Sequence, residues 1–211
     1  MQQRLPCHLC AEEYVSQRFW EQASLASCPL HPAGGCGFSR HTSYERVHPP
    51  GARIARFRCP TARVTFSLLP DCLASRLPST LVEVEEAVEG VERRGGTMAE
   101  LGAELRPAEE EVDRVQGAVR HLRRRCQSVY GALVTIIGLL PDRFVGHPPT
   151  ISGFRAALGV EHVLVALREL VAEHLRNLPP PLGFGPRPTR RKRPLRRLQQ
   201  EAGADPPQPP V

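Results

Sequence analysis

Chemistry in this chain concentrates in a few cysteines, histidines and arginines. Cys28, His31 and Cys36 fall together in the run CPLHPAGGC, and Cys59 follows at the end of a basic, alternating segment. Thiolates and an imidazole at such short spacing are the usual ligands of structural zinc, which takes four in a tetrahedron. The loop's glycines suit a metal knuckle, because glycine accepts φ > 0 and lets the backbone curl around a sulfur. A further Cys-x-x-Cys, Cys7 and Cys10, precedes Cys28 with seventeen residues between. Three arrangements are therefore open. Cys28, His31, Cys36 and Cys59 form one compact zinc site, or Cys7 and Cys10 supply ligands to it, or the module holds no metal and rests on its own core. The compact set is preferred. Cys72, just past Pro70, reads as a small buried thiol.

The second chemistry is cationic. The chain carries a net charge of +6, and of its 28 basic residues only Lys192 is a lysine. The distribution matters more than the total: residues 1–78 are basic, 79–111 strongly acidic, and 112–126 and 179–211 basic again. Such a layout points to a polyanion, and DNA is the expected partner. Two sets of side chains are candidates for it: Arg114, Arg120, Arg124 and Arg125 on one helix face, and Arg190, Arg191, Lys192 and Arg193 in the C-terminal run. Arginine forks onto phosphates and guanine edges. The same arginines opposite an apolar stripe also make an ordinary solvated face, and the preceding acidic run can neutralise them within the fold.

These residues need elements to hold them. Gln17–Ala26 reads as a short helix turning Phe19, Trp20 and Ala23 inward. Thr42, Tyr44 and Val47 begin a strand, His48-Pro49-Pro50-Gly51 is a turn, and Ile54 and Phe57 lie on a second strand ending at Cys59. Val64, Phe66 and Leu68 make a third. His41 and His48 read as hairpin or turn residues, not ligands. From residue 79 the apolar period changes from two to 3.6. Ser79 or Thr80 caps a helix with Glu83 in its first turn and Leu81, Val84, Ala87, Val88 and Val91 as its stripe. Thr97 opens a short helix over 98–106, and a third helix starts near Glu109. Short helix, break and basic helix have the form of a helix-turn-helix. Val112, Val115, Val119, Leu122, Cys126, Val129, Leu133, Ile136 and Leu140 continue one seam in steps of three and four, so homo-oligomerisation through the 112–140 helix is open. Because Gly131–Leu140 is apolar nearly all round, burial on several sides is the preferred expectation. Thr150–Leu158 and Glu161–Leu178 give two more helices. From Pro179 the composition is that of disordered chain.

The segments RHTSYERV, GARIARFRCP and TFSLLPD resemble the N-terminal zinc-ribbon region of bacterial insertion-element transposases and related short transposase-like proteins. The resemblance covers Cys28 to Leu69. It implies a zinc ribbon whose second knuckle starts at Cys59, followed by a helix-turn-helix that handles DNA. The chain departs from the pattern there, since Pro-Thr-Ala-Arg-Val follows Cys59 and offers no further ligand.

The motifs of nucleotide-binding loops and serine hydrolases are absent from the sequence. Little strand signal follows Leu69, so no mixed sheet is expected to carry the paired carboxylates of a nuclease. Without a signal-peptide pattern in Met1–Pro6, and with no apolar run approaching the roughly 20 residues that span a bilayer, a cytoplasmic protein with no membrane partner is expected. The expected architecture is α+β. A small zinc-ribbon-like β module covers 1–70, an all-α bundle with a helix-turn-helix-like start covers 79–178, and a disordered basic, proline-rich tail covers 179–211. The expected function is nonenzymatic DNA binding by a transposase-like accessory or regulator, with a protein–protein adaptor as the alternative.

Overall fold

The computed structural model of the protein describes residues 1–94 and 112–185. Four strands form one mixed sheet in the order β1-β4-β3-β2. They are β1 (Gln2–Leu5), β2 (Ser39–Glu45), β3 (Arg53–Cys59) and β4 (Val64–Pro70). β2 and β3 make the expected hairpin, with Tyr44 opposite Ile54 and Glu45 opposite Arg53, and a bulge at His41 where the register shifts between Arg40 and Thr42. β3 and β4 are antiparallel, with Phe57 opposite Phe66. β1 adds in parallel at the edge, with Leu5 opposite Pro70. Tyr14, Trp20, Ile54, Phe66, Leu68 and Leu73 fill the core beneath the sheet.

Ahead of the hairpin, the helix is α1 (Ala11–Ser16), not Gln17–Ala26. Cys10 and Glu13 cap it reciprocally, each side chain meeting the other's backbone N–H. Arg18 is left-handed at φ 49° and stops the helix, so Phe19–Glu21 forms only a 3-10 turn. Trp20 and Ala23 are nonetheless buried, as the pattern requires.

Beyond the sheet the fold is helical: α2 (Leu81–Arg94), α3 (Val112–Leu139), α4 (Ile151–Leu158) and α5 (Val163–Leu170). Thr80 and Glu83 form a capping box at the start of α2, with N–H to oxygen distances of 2.9 and 3.1 Å. Leu81, Val84, Val88, Val129, Leu133, Ile136, Phe144, Phe154, Leu164 and Leu167 make the second core. The helix expected over 98–106 lies outside the described residues, and with it the turn of the helix-turn-helix. Among the described residues no helix is long and apolar enough to cross a membrane.

The carboxylates of α2 have their own work. Glu85, only 2 % exposed, accepts the backbone N–H groups of Val163 and Leu164 at 3.0 and 2.8 Å. Glu92 does the same for Ile151 and Ser152 at 2.9 and 3.2 Å. Helix N-termini leave such donors unsatisfied and favour negative charge, so α2 caps both α4 and α5 from outside. Arg155 spans Glu85 and Glu89. The described part of the acidic run thus organises helices, and that accounts for a buried glutamate within an apolar face.

Three expectations change in the helical part. The 131–140 segment buries Leu133 and Ile136 but leaves Val134 and Leu139 exposed, so only one side of it is packed. Helix α5 ends at Leu170 and gives way to a 3-10 turn at Ala172–His174. The chain then doubles back, and the N–H groups of Phe184 and Gly185 close on the carbonyls of Leu175 and Leu178. Consequently residues 179–185 are not tail: Leu182 is fully buried and Phe184 touches both cores.

Arg168 of α5 shows why the two cores form one body. It is fully buried. Its guanidinium donates to the carbonyls of Pro70, Asp71 and Leu73 at the exit of the sheet, and of Pro181 and Leu182 in the C-terminal turn. Burial pushes its pKa down to about 10, which leaves it charged at neutral pH. Arg168→Met keeps the stem and removes every donor. The carbonyls of Pro70 and Pro181 keep backbone donors, but those of Asp71, Leu73 and Leu182 would lose theirs, and at about 1–3 kcal/mol for each buried group left unsatisfied a loss of about 3–5 kcal/mol is expected in urea unfolding. Arg168→Lys is expected to recover little, because an ammonium lacks the five-donor fork. A loss under about 1 kcal/mol for Arg168→Met, the net worth of one ordinary hydrogen bond, would contradict this role.

Candidate metal centre

Two turns bring four ligand-type side chains together. The first is the loop before β2. His31 N–H closes on the Cys28 carbonyl at 3.1 Å, and Gly34 N–H closes on that of His31 at 2.9 Å. Gly34 and Gly35 then both take positive φ, 86° and 75°, and fold the chain back so that Cys36 returns beside Cys28. Two consecutive residues in that region need glycine. The second turn follows Cys59 at the end of β3. There Ala62 N–H donates to Cys59 Sγ at 3.4 Å, and the Thr61 hydroxyl donates to the Cys36 carbonyl at 3.3 Å, stitching the turns together.

The candidate ligand atoms of Cys28, His31, Cys36 and Cys59 all lie within 4.8 Å of one another. His31 Nδ1 is 3.6 Å from Cys28 Sγ and 3.4 Å from Cys59 Sγ. A tetrahedral ion with Zn–S near 2.3 Å and Zn–N near 2.05 Å would space sulfur and nitrogen by about 3.6 Å. The three cysteines are buried, at 2, 5 and 0 % exposure, and His31 is half-buried. Burial pushes the Cys28 thiol up. Hydrogen bonds to its sulfur from His31 and from the backbone of Leu30 and His31 reverse that and bring it down to about 6. Burial pushes Cys36 up. Behind the site Phe38 stacks on Phe57 and meets Phe66 edge-on. The group can hold a metal ion such as zinc.

The compact arrangement is the one the structure assembles. Cys7 and Cys10 do not join it. Cys7 lies beyond the end of β1, where its N–H meets Asp71 Oδ2 at 3.3 Å, and Cys10 caps α1 through a contact from Glu13 N–H to its sulfur at 3.4 Å. Cys72 is buried, as expected. The ligands come as three from the first loop and one from the second turn. Ala62 stands three residues after Cys59, where a paired knuckle would carry its second ligand. His48, expected at a solvated turn, instead meets the Glu83 carboxylate through Nε2 at 2.6 Å.

The basic candidates fall in different places. Arg120 and Arg124 are exposed on α3, whereas Arg125 is half-buried and donates to the Ser79 hydroxyl. The side chain of Arg114 lies outside the described residues, as do Arg190, Arg191, Lys192 and Arg193. Sequence reasoning passed over a cationic depression of about 420 Å³ beside the hairpin, lined by Arg18, Arg40 and Arg53 among others. Arg40 is partly committed there, donating to the carbonyls of Glu21 and Ala23 at 2.9 Å. The available signal was the alternation of β3, which sets Arg53 on the hairpin face opposite the buried Ile54.

Fold and site together define an α+β protein with a buried cluster of three cysteines and one histidine fit for a metal ion. No protein-family model matches the chain, and neither a curated protein nor a solved structure does.

Protein purified without chelator is expected to contain close to one equivalent of metal by elemental analysis. Cys59→Ser and Cys36→Ser should abolish it, while Cys7→Ser and Cys10→Ser should retain it. Metal lost with Cys7→Ser but kept with Cys59→Ser would move the site upstream.

Proposed function

We propose that this is a nonenzymatic, zinc-containing DNA-binding protein, of the accessory or regulatory kind that accompanies transposase-like systems. The observation that carries the reading is the closed Cys3His set. Four protein ligands fill the shell of a tetrahedral zinc and leave no position for water or substrate, which is the arrangement of structural zinc and not of catalytic zinc. The ion would tie the first loop to the second turn, and its chemistry would end there. The DNA-binding part draws on charge and on the resemblance of Cys28–Leu69 to transposase ribbons. Exposed Arg120 and Arg124 lie on α3, exposed Arg53 and Arg58 lie on the hairpin, and the sequence after Gly185 is rich in arginine. Such side chains grip phosphates by releasing condensed counterions, with little dependence on sequence.

A second reading, a protein–protein adaptor, has one observation in its favour. Val134, Leu139 and Val145 are 56, 39 and 75 % exposed around the end of α3. A partner or a second copy docking through the 112–140 helix would cover at least the first two.

Fluorescence anisotropy of the full chain with duplex DNA distinguishes the two. The expected result is micromolar or tighter binding at about 50 mM salt, weakening at least about tenfold by 200 mM. Arg120→Ala combined with Arg124→Ala should flatten the slope of log K against log salt by about 2. No shift at low salt, together with a dimer in sedimentation, would overturn the DNA reading and favour the adaptor.

A further inference from the structure

Two further cysteines, Cys7 and Cys72, lie outside the metal cluster and face one cleft. β1 and β4 run parallel with Leu5 opposite Pro70. Cys7 and Cys72 each stand two residues past that last pair, Cys72 within the turn that Leu73 N–H closes on the Pro70 carbonyl at 3.1 Å. Each side chain is the largest influence on the other's titration, and each residue is only 8 or 7 % exposed. Local bonding holds the Cys7 end of the pair in place. Its N–H reaches Asp71 Oδ2 at 3.3 Å, and Asp71 is gripped by Arg4 in a two-pronged ion pair at 2.8 and 2.9 Å.

Both sulfur-bearing residues line a cleft of about 920 Å³ between the sheet module and the helices. The cleft is therefore large enough for a small organic molecule. Its walls carry Glu12, Asp71, Glu83, Glu86 and Glu169 alongside His8, His48 and His162; Asp71 is paired with Arg4 and Glu83 with His48, so the excess negative charge is that of Glu12, Glu86 and Glu169, and among the described residues that line it there is no lysine or arginine. A positively charged visitor is favoured over an anion.

We propose that Cys7 and Cys72 form a thiol–disulfide exchange site that reacts with a small cationic disulfide entering this cleft. The Cys7 thiolate attacks one sulfur of the reagent, breaking its S–S bond. A mixed disulfide forms and one small thiolate leaves. Cys72 then loses its proton to solvent, and its sulfur attacks the Cys7 sulfur. That step closes the Cys7–Cys72 bond and expels the second thiolate. The two protein thiols are oxidised by two electrons, the reagent is reduced to two thiols, and an added dithiol reverses the sequence. The neighbouring Cys72 side chain is the largest influence on Cys7 and lowers it to about 6, while Cys7 and burial raise Cys72. This assigns Cys7 as the attacking sulfur, since the thiolate is the nucleophile.

The test uses the full chain in its metal-replete form, treated with cystamine, quenched with an alkylating agent and digested with trypsin. Cleavage after Arg4, Arg18, Arg63 and Arg76 isolates Cys7 with Cys10 in one peptide and Cys72 in another. The expected product is these two peptides joined, two hydrogens lighter than their sum, and released by dithiothreitol. Cys10→Ser should keep the link, because Cys10 sits exposed at the α1 cap and serine is itself a favoured N-cap. Oxidised glutathione, an anion, should form the link about fivefold more slowly relative to its rate with a free small thiol. A reagent that modifies only Cys10 and leaves Cys7 and Cys72 alkylated as free thiols would overturn the site. A link that vanishes in Cys10→Ser would do the same. Equal relative rates for the two disulfides would overturn the cationic class of reactant.

Discussion

The structure turns on a buried guanidinium. Arg168 sits in the interior with no carboxylate in direct contact, and what satisfies it is backbone. Three carbonyls come from the exit of β4 and two from the turn after residue 178. A desolvated charge is expensive unless its donors are met, and here one side chain meets carbonyls of the turns at 70–73 and 181–182. Arg46 repeats the device from the hairpin side, donating to the carbonyls of Ala74 and Leu77. The 70–80 connection is thus gripped from both ends. It is a joint between sheet and helices and not a linker, and its Asp71, Cys72 and Thr80 line the cleft beside it.

Against that frame the metal cluster is local. The sheet core of Ile54, Phe57, Phe66 and Leu68 is built from strands that hold their own register. The loop from residue 28 to 37 has little comparable packing. Its buried members are two of the cysteines themselves, Cys28 and Cys36. Metal binding in structural zinc sites is worth about 10–16 kcal/mol in small peptides, as large as the whole stability of many domains. In this fold most of that would be directed at ordering one loop and tying it to the turn after Cys59. The asymmetry of three ligands and one follows: the second turn is already shaped by the β3–β4 hairpin, so it needs only one sulfur to anchor the first.

Much of this was legible in the residues. Alternation predicted the β2–β3–β4 order, Thr80 and Glu83 announced the start of α2, and the seam from Cys126 to Ile136 faces the core as its spacing requires. The four ligands were legible as one set because cysteine and histidine rarely cluster so closely without a reason. What the sequence hid were features whose partners are distant and are backbone. β1 is a polar edge strand in which only Leu5 is buried, so no alternation marks it. Arg168 lies among Val163, Leu164 and Leu167, where an apolar pattern reads through it, because its acceptors lie up to 98 residues away. Residues 179–185 have the composition of a tail yet are pinned by that same arginine. The end of α5 at Leu170 follows from the doubled-back turn and not from any helix-breaking residue inside the segment.

The cysteines make the point most directly, because one residue type serves three purposes within 72 positions. A Cys-x-x-Cys at 7 and 10 invites a metal reading, and spacing alone cannot refuse it. Topology does. Adding β1 in parallel to β4 carries Cys7 toward Cys72, and starting α1 at Ala11 commits Cys10 to the exposed helix cap. The two sulfurs are separated by what each must do for its own element before any ion is considered. Cys28 and Cys36 face no such demand, since the loop that carries them has no strand or helix to serve. Ligand sets are therefore best sought where the chain has cysteines and no other use for them, and that criterion selects the cluster that forms here.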